Sequence, residues 1–195
     1  MKFKIIPALL LCAILGSCGG GNTKAPSSLD NACSILDQRR NFLPAFKAAE
    51  QKYRVPVAVL MAMIYQESKF KSRARPPHKY LLGIIPVGRI SSAYGYSQAL
   101  DGTWREYKQE TGRWSARRDN IYHAADFMGW YMTKSQNDLG IPMSDTRNQY
   151  LAYHDGRAGY RRGTWRKKRW LINVANKLAV RANMYHRQLV NCGKL

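Results

Sequence analysis

The run VPVAVLMAMIYQESKF, residues 55–70, holds one carboxylic acid, Glu67, at the far end of an apolar stretch. Pro56 suits the first turn of a helix, and Val57, Leu60, Met61 and Ile64 then fall on one stripe that Glu67 continues. A carboxyl group placed there loses hydration of its charged form, which raises its pKa. The partial negative charge of a helix C-terminus acts in the same direction. An acid held protonated near neutral pH is what protonation of a departing oxygen requires. The competing assignment is a core-edge glutamate paired with Lys69, Lys71 or Arg73, and this stretch alone leaves both open.

The surrounding sequence predicts the elements that would hold such an acid. Phe42, Phe46, Ala49 and Tyr53 recur at helical spacing and predict an amphipathic helix over 36–53. Further helices are expected at 96–111, 118–136, 145–153 and 168–189, the last with Leu171, Val174, Ala175, Leu178 and Ala182 on one face. Residues 73–92, RARPPHKYLLGIIPVGRISS, contain three prolines and two glycines and are expected to form a long irregular segment. No stretch alternates persistently enough to require a sheet, so the expected fold is all-α or mainly α.

At 195 residues and 45% hydrophobic content, the chain suits one domain with a substantial core. Its start, MKFKIIPALLLCAILGSCGGG, reads as a basic n-region, a short apolar run and a small-residue cleavage region. Leu15-Gly16-Ser17-Cys18 resembles a bacterial lipobox, which implies removal of residues 1–17 and acylation of Cys18. A conventional signal peptide is the alternative. Residues 18–34 are expected to be a flexible tether and 35–195 the folded domain. Losing Lys2 and Lys4 with the leader lowers the formal charge from +20 to +18. Such a charge favours polyanions without choosing among them, but an exported chain seldom meets nucleic acid. In an oxidising compartment Cys33 and Cys192 are expected to pair, with free thiols as the alternative.

Three short motifs occur in order: ESKF at 67–70, AYGYSQ at 93–98 and AYHDG at 152–156. Together they resemble the Glu-Ser, Gly-Leu-Met-Gln and Ala-Tyr-Asn elements of the soluble lytic transglycosylase (SLT) family, over about residues 36–189. The resemblance implies a single goose-type-lysozyme-like catalytic domain that needs no cofactor. It further implies cleavage of the β-1,4 bond between N-acetylmuramic acid and N-acetylglucosamine in peptidoglycan, leaving 1,6-anhydromuramic acid ends. Glu67 would act as acid and then as base. By the same carry-over Ser68 would orient substrate, Gly95 would permit close backbone approach and Gln98 would hydrogen-bond the sugar. Tyr153 would hydrogen-bond Glu67, His154 would donate to an acetamido or sugar oxygen, and Tyr94 and Tyr96 would offer aromatic surface.

Two departures from the family pattern stand out. The segment between Glu67 and Gln98 is long, and its proline-rich part is expected to wall or cover the glycan groove. His154 replaces the family's asparagine and is followed by Asp155. If Asp155 or Asp101 were a second catalytic carboxylate, the enzyme would be a hydrolytic muramidase; Asp-Gly is also an ordinary turn. A noncatalytic peptidoglycan-binding scaffold is the third reading. Residues 156–170 interleave cations with Tyr160, Trp165 and Trp170, a mixture suited to stacked bases or to glycan strands, and export favours the glycan. Scattered histidines give no metal site, there is no nucleotide-binding glycine motif, and Ser97 lacks the setting of a nucleophile elbow. The expected location is the cell envelope, on the periplasmic face of an outer membrane.

Overall fold

A computed structural model describes residues 23–195. Residues 1–22, on which the expected leader, its cleavage and acylation of Cys18 fall, lie outside the described residues. The rest is mainly helical: α1 (Ala32–Gln38), α2 (Phe42–Tyr53), α3 (Val57–Ser68), α4 (Asp101–Thr111), α5 (Ile121–Leu139), α6 (Thr146–Asp155), α7 (Arg157–Arg162) and α8 (Arg169–Asn191). A short 3₁₀ turn spans Thr164–Lys167, and one antiparallel hairpin is formed by β1 (His78–Leu81) and β2 (Ile85–Arg89). Among the described residues no helix is long and apolar enough to cross a membrane.

Helix α3 runs through the middle of the core. Every residue from Val57 to Ile64 is buried, so the stripe read from the sequence is only part of its apolar surface. Helices α2, α5, α6 and α8 surround it. Glu50 of α2 caps its start, the carboxylate accepting from the Val57 N–H at 3.0 Å, which satisfies one orphan donor of the first turn. Helix α8 turns Leu171, Ala175, Leu178, Ala182, Tyr185 and Leu189 inward at alternating steps of four and three, giving one continuous seam against α3 and α6. Asn120 and Asp145 start α5 and α6 by accepting backbone N–H bonds from the first turn, as N-cap residues do.

Four expectations are corrected. The helix expected over 36–53 is two helices, because DQRRN, residues 37–41, offers no apolar residue to continue the stripe. The helix expected from residue 96 begins at Asp101, since Gly95 and Gln98 adopt positive φ (79° and 51°) in a tight turn. Residues 73–92 are not wholly irregular: Leu82 and Gly83, both left-handed, turn the chain between β1 and β2. The tether expected to reach residue 34 is seated well before it. Pro26 is buried, the Leu29 carbonyl accepts from Tyr185 and Arg181 of α8, and α1 has already begun at Ala32. A disulfide joins Cys33 of α1 to Cys192 after α8, across 159 positions.

A second cluster packs Trp104 and Tyr107 of α4 against Phe127, Trp130 and Tyr131 of α5. At its edge lies Asp126, a buried carboxylate inside an apolar stripe. It accepts from Lys52 at 2.9 Å, Tyr107 at 2.6 Å and Tyr53 at 3.3 Å, and pairs with Arg113 at 3.3 Å. Removing one partner from such a network leaves the others buried and unpaired. Asp126→Ala is expected to cost about 3 kcal/mol in chemical denaturation, while Lys52→Met, which removes a half-exposed partner, costs about 1 kcal/mol or less.

Candidate active site

Glu67 stands one residue from the end of α3. The chain then leaves through two consecutive left-handed residues, Lys69 (φ 52°) and Phe70 (φ 60°). Such a conformation is costly for non-glycine residues and is held here by the Phe70 ring, fully buried against Phe42 and Tyr65. The tight exit keeps Glu67 at the mouth of a cleft of about 560 Å³. Pro76, Ile90 and Ser91 at the hairpin base form one wall, as expected of the long insertion. Gln98, Ala99, Leu100 and Thr103 form a second side, Phe127 and Tyr131 of α5 the floor, and Tyr153, His154 and Asp155 of α6 the far side.

Among the described residues Glu67 makes no hydrogen bond and no ion pair. Burial raises its pKa to about 8, opposed in part by the charge of Lys69. Lys69 does not close onto it; its ammonium lies 3.6 Å from the centre of the Tyr65 ring. The core-edge assignment, a glutamate paired with Lys69, Lys71 or Arg73, is therefore not the arrangement found.

The other residues named from the sequence divide into those the cleft gathers and those it does not. Gln98 lines the cleft. Its side-chain amide donates to the Ala74 carbonyl at 3.0 Å and the Gly95 carbonyl at 2.8 Å, leaving the amide oxygen as acceptor. Tyr153 lines it too, but donates to the Ser97 carbonyl at 2.5 Å rather than to Glu67. Burial and the neighbouring Glu67 charge hold that phenol well above its ordinary pKa. His154 is exposed at the rim, edge-on to Trp170 at 5.0 Å. Burial and the Lys168 charge lower its pKa, against the opposing pull of Asp155.

Three expected contacts lie elsewhere. Ser68 is buried and returns its hydroxyl to the Ile64 carbonyl at 3.2 Å, a local bond that turns it away from the cleft. Tyr96 is a core residue, 2% exposed and edge-on to Phe42 at 5.6 Å. Tyr94 lies outside the cleft lining between two guanidinium groups, Arg75 at 4.3 Å and Arg118 at 5.4 Å. Gly95 does permit a close backbone approach, but to Arg118. A Cβ there would meet the Arg118 carbonyl oxygen at 2.2 Å, in a backbone conformation side chains rarely adopt. Gly95→Ala is expected to cost about 2 to 4 kcal/mol through strain and overpacking, and to displace the Gln98 amide. Thermal unfolding and activity, both lowered, check it.

The two candidate second carboxylates are already occupied. Asp155 borders the cleft, yet its side chain is only 3% accessible and is held by Lys168 and Thr164. Burial would raise its pKa, but those two partners outweigh it and the net shift is downward. Asp101 starts α4 outside the cleft lining, pairs with Arg118 at 2.7 Å and is largely exposed. Sequence reasoning did not single out Thr103, Phe127 or Tyr131 as lining residues. Tyr131 donates to the Ala152 carbonyl at 3.3 Å and stacks edge-on to Tyr153 at 4.9 Å, fixing α6 behind Glu67. Among the described residues no cluster of histidine, cysteine, aspartate or glutamate could hold a metal ion.

This mainly helical architecture, with one carboxylic acid at the end of its central helix, is consistent with a lysozyme-like domain. The family model described as "Transglycosylase SLT domain" matches residues 6–192, and the chain belongs to that family. Membership supports an enzyme acting on peptidoglycan. No curated protein matches the chain.

Proposed function

We propose that the protein is a lytic transglycosylase that cuts peptidoglycan glycan strands with Glu67 as its single catalytic carboxylate. The observation that carries this reading is the contrast between the two carboxylates bordering the cleft. Glu67 is unpaired, with its pKa raised to about 8 by burial, while Asp155 is held as an ion pair. At pH 7 Glu67 is mostly the neutral acid and can protonate the glycosidic oxygen between N-acetylmuramic acid and N-acetylglucosamine. As that bond breaks, the carboxylate left behind takes the proton from the muramic acid 6-hydroxyl, whose oxygen closes onto its own anomeric carbon. The product is a 1,6-anhydro end and no water is consumed. The substrate's acetamido group supplies the stabilisation that a second carboxylate gives in most glycosidases. Gln98 offers its amide oxygen to a sugar donor, and His154 with Trp170 lies at the rim where the strand continues.

Acylation at Cys18 and retention on the periplasmic face of an outer membrane complete the proposal. The basic surface, formal charge +20 for the whole chain, favours the anionic envelope around the substrate.

The test is a mass spectrum of muropeptides released from purified peptidoglycan by the wild type, Glu67→Gln and Asp155→Asn. Anhydro ends from the wild type and from Asp155→Asn, absent with Glu67→Gln, are expected. Reducing ends one water heavier, lost with Asp155→Asn, would replace this reading with a hydrolase. Binding without release by the wild type would favour a scaffold.

A further inference from the structure

The hairpin β1–β2 has no role in the chemistry above except at its base, yet its tip is the most exposed apolar feature described. Tyr80, Leu81, Leu82, Ile84, Ile85 and Val87 are 50% to 84% exposed, with Leu82 the highest. Monomeric soluble proteins rarely leave so continuous an apolar patch in water. Its placement on the hairpin is informative. Pairing sets Leu81 opposite Ile85 on one face and Tyr80 opposite Pro86 on the other. Both faces and the turn are therefore apolar, whereas a strand docking on a protein usually presents one face and keeps the other polar. The turn itself places Leu82 at φ 52°, a position that glycine or asparagine fills at lower cost. A leucine kept there, 84% exposed, gives the tip apolar surface at the expense of local strain.

Charge selects the medium. Between Glu67 and Asp101 the chain has no acidic residue and six cations: Lys69, Lys71, Arg73, Arg75, Lys79 and Arg89. None lies within the apolar stretch 80–87; Lys79 and Arg89 flank its root, and Arg73 and Arg75 lie just before it. An apolar tip above a cationic collar matches a bilayer interface, with acyl chains for the tip and anionic headgroups for the collar.

We infer that this hairpin inserts its tip into the headgroup and acyl boundary of an anionic lipid bilayer, as a contact independent of any acyl chain at Cys18. At about 3.3 Å per strand residue the tip stands roughly 20 Å from the hairpin base. Because Pro76, Ile90 and Ser91 of that base line the cleft, insertion fixes the height at which the cleft meets its substrate above the membrane.

The test uses the full chain with Cys12 and Cys18 replaced by serine, so that one introduced thiol carries an environment-sensitive fluorophore. The introduced thiol is Leu82→Cys or, as a control on the exposed face of α8, Val180→Cys. The labelled chains are mixed with vesicles whose acyl chains are brominated. With phosphatidylglycerol-rich vesicles the probe at 82 is expected to shift to the blue and be quenched, and the probe at 180 to remain in water. Lys79→Glu is expected to lower the inserted-to-free ratio about fivefold or more, as loss of a basic residue at an anionic surface does. A probe at 82 that stays in water on anionic vesicles overturns the inference. So does a shift on concentrating the protein without lipid, which would make a second copy the occupant. Equal quenching in phosphatidylcholine overturns the anionic assignment.

Discussion

Glu67→Gln is expected to lower turnover on peptidoglycan by about 10³-fold or more, in keeping with removal of a positioned general acid, while making the folded domain more stable in alkali. The two effects have one cause. Burial raises the Glu67 pKa to about 8, so between the unfolded carboxylate value and pH 8 the native state binds the proton that the unfolded state has released. Stability from this group is therefore fully present below the unfolded value and is lost as pH rises through about 8. Glutamine has the same shape and no charge to bury. The variant should match the wild type in chemical denaturation near pH 4 and exceed it by about 2 to 3 kcal/mol near pH 9. Linkage allows at most about 1.4 kcal/mol for each pH unit between the unfolded and folded pKa values, and the expected gain is smaller because Glu67 is partly accessible. In the wild type kcat/KM should fall about tenfold per pH unit above 8 as the acid form is titrated away. A variant that is inactive but not stabilised in alkali would mean that Glu67 is solvated in the native state, and the neutral-acid mechanism would lose its basis.

That a carboxyl group would sit in a reluctant position was legible in the sequence because α3 is almost wholly apolar. With Val57 to Ile64 leaving no polar side for a helix to present, whatever followed on the same rod had to sit at the core's edge. What Glu67 touches was not legible. Tyr153 chose the Ser97 carbonyl, a backbone atom brought near only by the tertiary fold, over the carboxylate that motif order suggested. Ser68 and Tyr96 lie outside the cleft lining for a related reason. A residue beside a functional one in sequence lies about 100° around a helix or on the opposite side of a turn, so it is presented to a different neighbour. The hairpin escaped because its apolar run has no alternation to read. Period-two patterning records a core on one side and water on the other, and the stretch 80–87 has the same chemistry on both. Asp126 was hidden by its own company, since its partners come from α2, α4 and the turn after α4.

Replacing Cys33 and Cys192 together by serine is expected to destabilise the domain strongly and leave its chemistry nearly intact. The bond closes a loop of 159 positions. The chain-entropy model gives about 5 kcal/mol for a loop of that size, and measured losses of native disulfides run about 2 to 5 kcal/mol. For a domain of this length that corresponds to a fall in Tm of about 10 °C. The loss should fall unevenly. Reduction frees α1 and the segment before it from the end of α8, where the remaining polar ties include the Ala32 N–H on Gln188 at 2.8 Å, the Gln188 amide on the Asp30 carbonyl at 2.9 Å, Arg181 on Asp30 at 2.7 Å, Lys194 on Asp37 at 2.8 Å, and Arg181 with Tyr185 on Leu29. Glu67 is held from the other direction, by α3 packed among α2, α5, α6 and the inner seam of α8. Hydrogen exchange should therefore quicken first over residues 26–38 and the last turn of α8, with the amides of α3 still protected. Below the lowered melting range the double variant should release muropeptides at close to the wild-type rate. A parallel collapse of activity and exchange protection in α3 would mean instead that the two chain ends and the catalytic helix unfold as one unit, and that the disulfide positions Glu67 as well as fastening the fold.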